Sequence, residues 1–266
     1  MFIILSGSSG VGKNTIITEM QKTNDKLVLM PTYTTRDMRE GEVSGNPFFY
    51  ITKAEFQEKI KNDELIEHEL IHGNFYGSSH VLFDKYLKGG NIIIKDIGVE
   101  GAQNLSLKLA DKTQILKIFL TVDSKNELKK RLKGRGEKQI KLRLKRFKYE
   151  QQQMNKFDYI IFNMDMQNTV EIIETISNLQ QNDFYFEKDI SKYNPYKIKY
   201  YINKLNSKNI LKPVKVAIKN GKAYVVNGAE KLIASFLSGK SIAKLVVNKQ
   251  KNFNAFTHIF SDQKNK

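Results

Sequence analysis

Cysteine is absent from this chain of 266 residues. That excludes disulfides, thiolate zinc sites and thiol catalysis together, and makes a cytoplasmic protein the expectation. No stretch approaches the roughly eighteen apolar residues that a membrane span needs, so no membrane partner is expected. The opening Met1-Phe2-Ile3-Ile4-Leu5 is apolar but runs straight into glycines. It lacks the basic flank and length of a signal peptide and reads as a buried first strand. Dense basic runs are missing as well, despite a formal net charge of +16. From Asp183 onward 17 lysines face 5 acidic residues, a net of +12, which leaves +4 for the first 182 residues. Two readings of that charge stay open, a polyanionic partner and lysines that merely solvate the surface.

Arginine is scarce too. The six arginines are Arg36, Arg39, Arg131, Arg135, Arg143 and Arg146, all before Asp183 and in two clusters. A guanidinium is a planar, permanently charged fork that grips phosphate oxygens in pairs, and lysine cannot copy it. Arginine kept in a lysine-rich chain therefore suggests two phosphate-gripping clusters. Arg146 and its neighbouring lysines read instead as a solvated helix face.

What is present suits globular cores: 40% of residues are hydrophobic, and the length accommodates two domains. The apolar run Phe2 to Leu5 leads into Gly7-Ser8-Ser9-Gly10-Val11-Gly12-Lys13-Asn14-Thr15, and a helical pattern follows through Ile16, Ile17 and Met20. Strand, glycine loop and helix form the context of a phosphate-binding loop, and Gly7 to Lys13 fits G-x-x-x-x-G-K. Glycines let backbone N–H groups turn inward around phosphate oxygens, and the helix N-terminus adds positive potential. Further strands are expected at 27–30, 91–94, 114–120 and 159–162. Helices are expected after Thr52, which has capping-box spacing to Glu55, after Ser124 with Glu127, and over 139–155 and 169–179. Gly134-Arg135-Gly136 suggests a mobile loop. Alternating strands and helices predict an α/β fold with a parallel sheet.

Beyond a junction at 180–184, Asn194-Pro195 marks a turn before a helix at 196–206. Strands at 213–218 and 223–226 flank the hairpin signal Asn220-Gly221, a helix over 229–237 stops at Gly239, and a last strand is expected at 242–247. The tail after Lys249 reads as loosely ordered.

Four motifs, in order, resemble those of guanylate kinases. They are the Gly7 to Lys13 loop, Thr34-Thr35-Arg36 with Arg39-Glu40-Gly41-Glu42, Gly73-Asn74-Phe75-Tyr76-Gly77-Ser78, and Arg131-Leu132-Lys133-Gly134-Arg135-Gly136. The resemblance covers about residues 1–180. It implies a P-loop nucleoside-monophosphate kinase fold with a GMP-binding insert and a lid, and ATP-dependent phosphorylation of GMP or dGMP with Mg²⁺. ATP would lie on Gly7, Ser8, Ser9, Gly10, Val11, Gly12, Lys13, Asn14 and Thr15. Thr32, Arg36 and Arg39 would hold the GMP phosphate, and Glu67, Tyr76 and Ser78 the base. A buried carboxylate suits guanine because it accepts from N1–H and the exocyclic amine together. Lys13, Arg36 and the lid arginines Arg131, Arg135 and Arg143 would stabilise the transferring charge.

The chain departs from the family at named places. Asn14 stands where a Ser or Thr hydroxyl usually meets Mg²⁺, and Thr15 points another way along the helix. Phe48 replaces a phosphate-binding tyrosine, with Phe49 and Tyr50 following. Asp96, which can organise Mg²⁺-bound water, is kept, but the second aspartate of that motif is Gly98. His68, His72 and His80 suggest no complete metal site and read as edge or pocket residues.

Residues of about 187–247 resemble the ParB/sulfiredoxin-like superfamily, through Asn194-Pro195-Tyr196, Asn209 to Val214, the hairpin, and Val225-Val226-Asn227-Gly228 before a helix. A small α+β domain is implied, with Lys231 alone at a basic motif position. The expected organisation is a kinase-like domain at 1–182, a ParB-like domain at 183–250 and a tail at 251–266. DNA, a nucleotide, a docked partner, or a second copy of the chain in a homo-oligomer stay open as partners of the second domain. A non-enzymatic binding module and a nucleotide-regulated DNA-associated protein are the competing functional readings.

Overall fold

The computed structural model describes residues 1–71, 73–179, 183–188, 190–207, 209–246 and 257–258. The chain divides into two compact units, Met1–Ser6 with Lys13–Lys117, and Gly7–Gly12 with Ile118–Lys266. Among the described residues no helix is long and apolar enough to cross a membrane.

The first unit is built on β1 (Phe2–Ser6), α1 (Lys13–Thr23) and β2 (Leu27–Leu29). An insert follows: β3 (Thr32–Thr34), β4 (Val43–Ser44), β5 (Pro47–Tyr50), α2 (Lys53–Lys61), β6 (Leu65–Ile71) and β7 (Asn74–Ser79). It closes with α3 (His80–Lys88), β8 (Ile92–Asp96) and α4 (Val99–Leu109). Strands β1 and β2 flank β8, both parallel to it, with Phe2 opposite Ile93 and Leu27 opposite Ile92. All five residues of β1 are buried, which explains its unbroken apolar run. Ile16, Ile17 and Met20 of α1 and Ala102, Leu105 and Leu109 of α4 complete this core. Phe83 of α3 meets Phe2 edge-on, ring centroids 5.6 Å apart.

The insert forms its own sheet, ordered β4-β5-β3-β7-β6. Thr52 and Glu55 make the reciprocal capping box that their spacing predicts, and this starts α2. Phe56 of α2 stacks on Phe75 of β7 at 5.2 Å.

The second unit takes in most of β9 (Ile115–Thr121), then α5 (Lys125–Gly134), α6 (Ile140–Gln153), β10 (Tyr159–Phe162) and α7 (Met166–Asn178). It continues through β11 (Phe184–Phe186), α8 (Pro195–Asn206), β12 (Val214–Lys219), β13 (Lys222–Asn227), α9 (Ala229–Ser238), β14 (Lys244–Val246) and β15 (Thr257–His258). Gly134 ends α5 rather than interrupting a longer helix, and Gly136 takes a positive φ of 73° in the link to α6. The expected junction at 180–184 is shortened, because Phe184 already belongs to β11, and 180–182 lie outside the described residues. So do Val247, His72 and, apart from Thr257 and His258, the tail.

The sheet of the second unit is mixed, as the hairpin signal at Asn220-Gly221 implies. β10 pairs in parallel with β9 and β14, and β14 with β12, but β12 and β13 are antiparallel. Asn220 (φ 49°) and Gly221 (φ 71°) form the tight turn between them. A two-residue turn can join only antiparallel strands.

Candidate active site

In the second unit the glycine loop is held from several sides. Gly7 has φ 136°, and a Cβ there would fall 2.0 Å from the Leu120 carbonyl oxygen. Gly12 has φ 103°, and its Cβ would meet Asn163 Nδ2 at 2.6 Å. The loop can therefore pack this closely only with glycine at both places. Asn163 Nδ2 donates to the Val11 carbonyl at 2.8 Å, and Thr169 Oγ1 donates to Asn163 Oδ1 at 3.1 Å.

Arg131 braces the same turn, donating through its two NH groups to Val11 O (3.4 Å) and Asn163 O (2.8 Å) while Nε pairs with Glu127. Arg135 and Arg143 converge on one hydroxyl, Ser9 Oγ, at 3.2 and 2.5 Å. Both also pair with Glu137, at 3.0 and 2.8 Å. Burial works to raise the Glu137 pKa, but the Gln139 amide and these two guanidinium groups outweigh it and hold the carboxyl below its ordinary range. Ser8 Oγ donates to the buried Glu150, which also pairs with Arg146 at 3.1 Å. Arg146 is thus a fixed ion-pair partner, not the solvated residue expected, because Glu150 lies one helical turn beyond it.

In the first unit Lys13 Nζ lies 3.6 Å from Asp96 Oδ1. Asn14 and Thr15 are exposed on the first turn of α1. In the insert, Arg36 NH2 donates to both carboxylate oxygens of Glu42 at 2.9 Å and reaches the Tyr50 hydroxyl at 3.4 Å. Its guanidinium lies over Phe48 and Tyr50, 5.2 and 5.4 Å from the ring centroids. Glu42 accepts in addition from Tyr50 OH (2.7 Å) and the Arg39 amide (2.8 Å). Burial tends to raise its pKa, but those three donors prevail and hold it low. Tyr76 adds its ring beside Phe48, at 6.1 Å. Arg39 joins this cluster only through its backbone, and its side chain is exposed.

Glu67 of β6 is 6% exposed and accepts a hydrogen bond from Ser78 Oγ of β7, a pairing set by the antiparallel register that puts these residues opposite each other. Burial raises the Glu67 pKa; the Ser78 bond and the charge of Lys95 pull it back in part. Lys95, on β8, is fully buried, and its Nζ donates to Met30 O (3.3 Å), Pro31 O (3.2 Å) and Thr32 Oγ1 (2.5 Å). Burial pushes its pKa down to about 8, against the opposing influence of Glu67 and Asp96. Gly98 is the N-cap of α4 and offers no side chain to it.

Ser9, Arg135 and Arg143 are therefore brought together in one unit. In the other, Lys13 meets Asp96, Glu67 meets Ser78, and Arg36 stands near Tyr76. Glu42, Tyr50, Lys95, Glu137 and Glu150 were given no role by sequence reasoning. The signal for Lys95 was there: one charged residue closing the apolar run Ile92-Ile93-Ile94 of a strand flanked on both sides.

A braced glycine loop that runs into a helix beginning at Lys13, after a buried parallel strand, marks a P-loop α/β protein. A family model described as guanylate kinase matches residues 1–180. The guanylate kinase of Campylobacter jejuni (strain RM1221) is 35% identical over 178 residues, 65% of this chain and 86% of that protein. That of Clostridioides difficile (strain 630) is 36% identical over 185 residues, 68% of this chain and 89% of the relative. A crystal structure of guanylate kinase from Anaplasma phagocytophilum matches with a TM-score of 0.53 and 25% identity, over 66% of this chain and 83% of that one. The chain belongs to the guanylate kinase family of enzymes.

Proposed function

We propose that this chain transfers the γ-phosphoryl group of ATP to GMP or dGMP, giving ADP and the nucleoside diphosphate. The observation that carries the reading is the buried Glu67–Ser78 pair. A desolvated carboxylate needs two neighbouring N–H donors, and the guanine edge supplies them, while the Ser78 hydroxyl can turn to O6. An adenine edge would leave the carboxylate unsatisfied, at a cost of about 1–3 kcal/mol or more.

The Gly7 to Gly12 loop and Lys13 take the ATP phosphates in this reading. Arg135 and Arg143 exchange Glu137 for phosphate oxygens, a swap between anions that keeps both guanidinium groups paired. Arg131 holds the loop itself. Thr32, Arg36 and the Tyr50 hydroxyl receive the GMP phosphate, with Tyr50 supplying what Phe48 lacks, and Tyr76 borders the base. Arg39 joins when the anion arrives.

Among the described residues no group of three or more acidic or histidine side chains could hold a metal ion. Asn14 and Asp96 fit a Mg²⁺ that enters on the ATP phosphates and keeps most of its water. The chemistry such an ion would supply is neutralisation of the charge that develops on the transferring group.

Residues 183–250 we take as an appended unit of ParB-like pattern, whose net charge supports an anionic partner. Lys231 donates to the Lys212 carbonyl at 3.2 Å, so the lysines around it would carry that role.

The direct test is ADP release from ATP and Mg²⁺ with GMP, dGMP, AMP, CMP and UMP in turn. Guanine-specific turnover that Lys13→Ala abolishes is expected. Equal turnover with AMP, or none with any acceptor, would overturn the reading.

A further inference from the structure

Lys95 is the one charged residue in β8 before its last position, and the family reading gives it no task. Burying an ammonium is costly unless its protons are all bonded and its charge is balanced. Both conditions are met. The three N–H groups have three acceptors on three consecutive residues, Met30, Pro31 and Thr32. Those residues link β2 of the central sheet to β3 of the insert, so one side chain ties the start of the insert to β8. Charge balance comes from Glu67 on β6 and Asp96 on β8 itself.

The direction of the bond to Thr32 matters most. An ammonium has donors only, so Thr32 Oγ1 must accept from it. The hydroxyl proton of Thr32 is then left to be donated elsewhere, and Thr32 is a proposed contact of the acceptor's phosphate. A hydroxyl that accepts from a cation is also a stronger donor.

We propose that Lys95 is a positioning residue of the acceptor site, fixing Thr32 in place and committing its hydroxyl as a donor to the phosphate of the bound nucleoside monophosphate. The inference rests on the acceptor-site reading given above. It adds a residue that touches no substrate, and it couples the phosphate end of that site, through Lys95, to the Glu67 carboxylate at its base end.

The test is GMP affinity by calorimetry, and KM for GMP and ATP, for the unmodified chain, Lys95→Met, Thr32→Val, Thr32→Ser and the Lys95→Met/Thr32→Val double variant. Lys95→Met and Thr32→Val should each raise KM for GMP by roughly tenfold to a hundredfold and leave KM for ATP within about twofold. Thr32→Ser, which keeps the hydroxyl, should restore GMP affinity, and the double variant should be no worse than the poorer single one. A purely structural lysine would move both KM values together. If Lys95→Met does not fold, the Thr32 variants decide: GMP affinity indifferent to the hydroxyl overturns the inference. Tight GMP binding that Lys95→Met leaves unchanged overturns it too. No saturable GMP binding by the unmodified chain would instead remove the acceptor-site reading, and this inference with it.

Discussion

At Glu67, burial and charge pull in opposite directions. Burial raises the carboxyl's pKa, while Ser78 and Lys95 favour the ionised form. A carboxyl whose folded pKa is raised holds its proton more tightly in the folded chain than in the unfolded one. Its contribution to stability is complete below the unfolded value of 4.5 and is lost as pH rises through the folded pKa. Glu67→Gln should therefore flatten that acid-side dependence in thermal melts, while KM for GMP rises roughly tenfold to a hundredfold for a lost charged hydrogen bond. A variant with unchanged pH dependence and unchanged KM would place Glu67 outside the site. Glu67 and Ser78 were legible because each lies in or near a motif of recognisable residue order. The Lys95 bonds to Met30, Pro31 and Thr32 were not, since they join residues more than sixty positions apart. Phe48 and Tyr50 show a subtler case: the sequence reveals a hydroxyl missing from one position, and only the folded strand brings the other to Arg36.

Elements were legible where their signals are local. The capping box of α2, the Ser124 cap of α5 and the Asn220-Gly221 turn each depend on residues within a few positions of one another, and all three form. Helix α7 begins three residues before its apolar pattern does, because Asp165 caps it by accepting from the Asn168 amide and periodicity does not register a cap. The glycine loop was recognised for its phosphate chemistry, yet Gly7 also has a packing role visible only in three dimensions. Its φ of 136° and the Leu120 carbonyl oxygen, 2.0 Å from where a Cβ would stand, both forbid a side chain. Gly7→Ala should cost on the order of 3 kcal/mol from backbone strain and overpacking together. Denaturant titration would read this as a lower midpoint with little change in slope. A loss under about 0.5 kcal/mol would mean that the loop shifts without resistance and that its shape is set elsewhere.

On the scale of the whole molecule, the C-terminal extension is not simply strung after the kinase-like sequence. β14 pairs in parallel with β10, Tyr159 opposite Lys244, and the Lys244 amide donates to Asp158 O at 2.9 Å. The Lys244 ammonium lies 5.0 Å from the Tyr159 ring centroid, and burial lowers its pKa. Nothing local in the sequence announces a pairing across some eighty residues, and this is why a separate small α+β domain was expected. Yet the match to the Campylobacter jejuni enzyme spans 86% of that protein with only 65% of this chain, so most of such a relative is accounted for without the extension. The strand pairing then has a physical consequence that can be measured. Ending the chain at residue 182 would remove β14 and leave the backbone of β10 unpaired on that side, an open edge rich in Tyr and Ile. The truncated protein should keep guanine-dependent turnover per folded molecule while light scattering rises with concentration and its soluble fraction falls. A truncated chain as soluble as the full one would show that β10 needs no cover. Loss of turnover in a protein that stays soluble and folded would instead give the extension a part in the reaction itself.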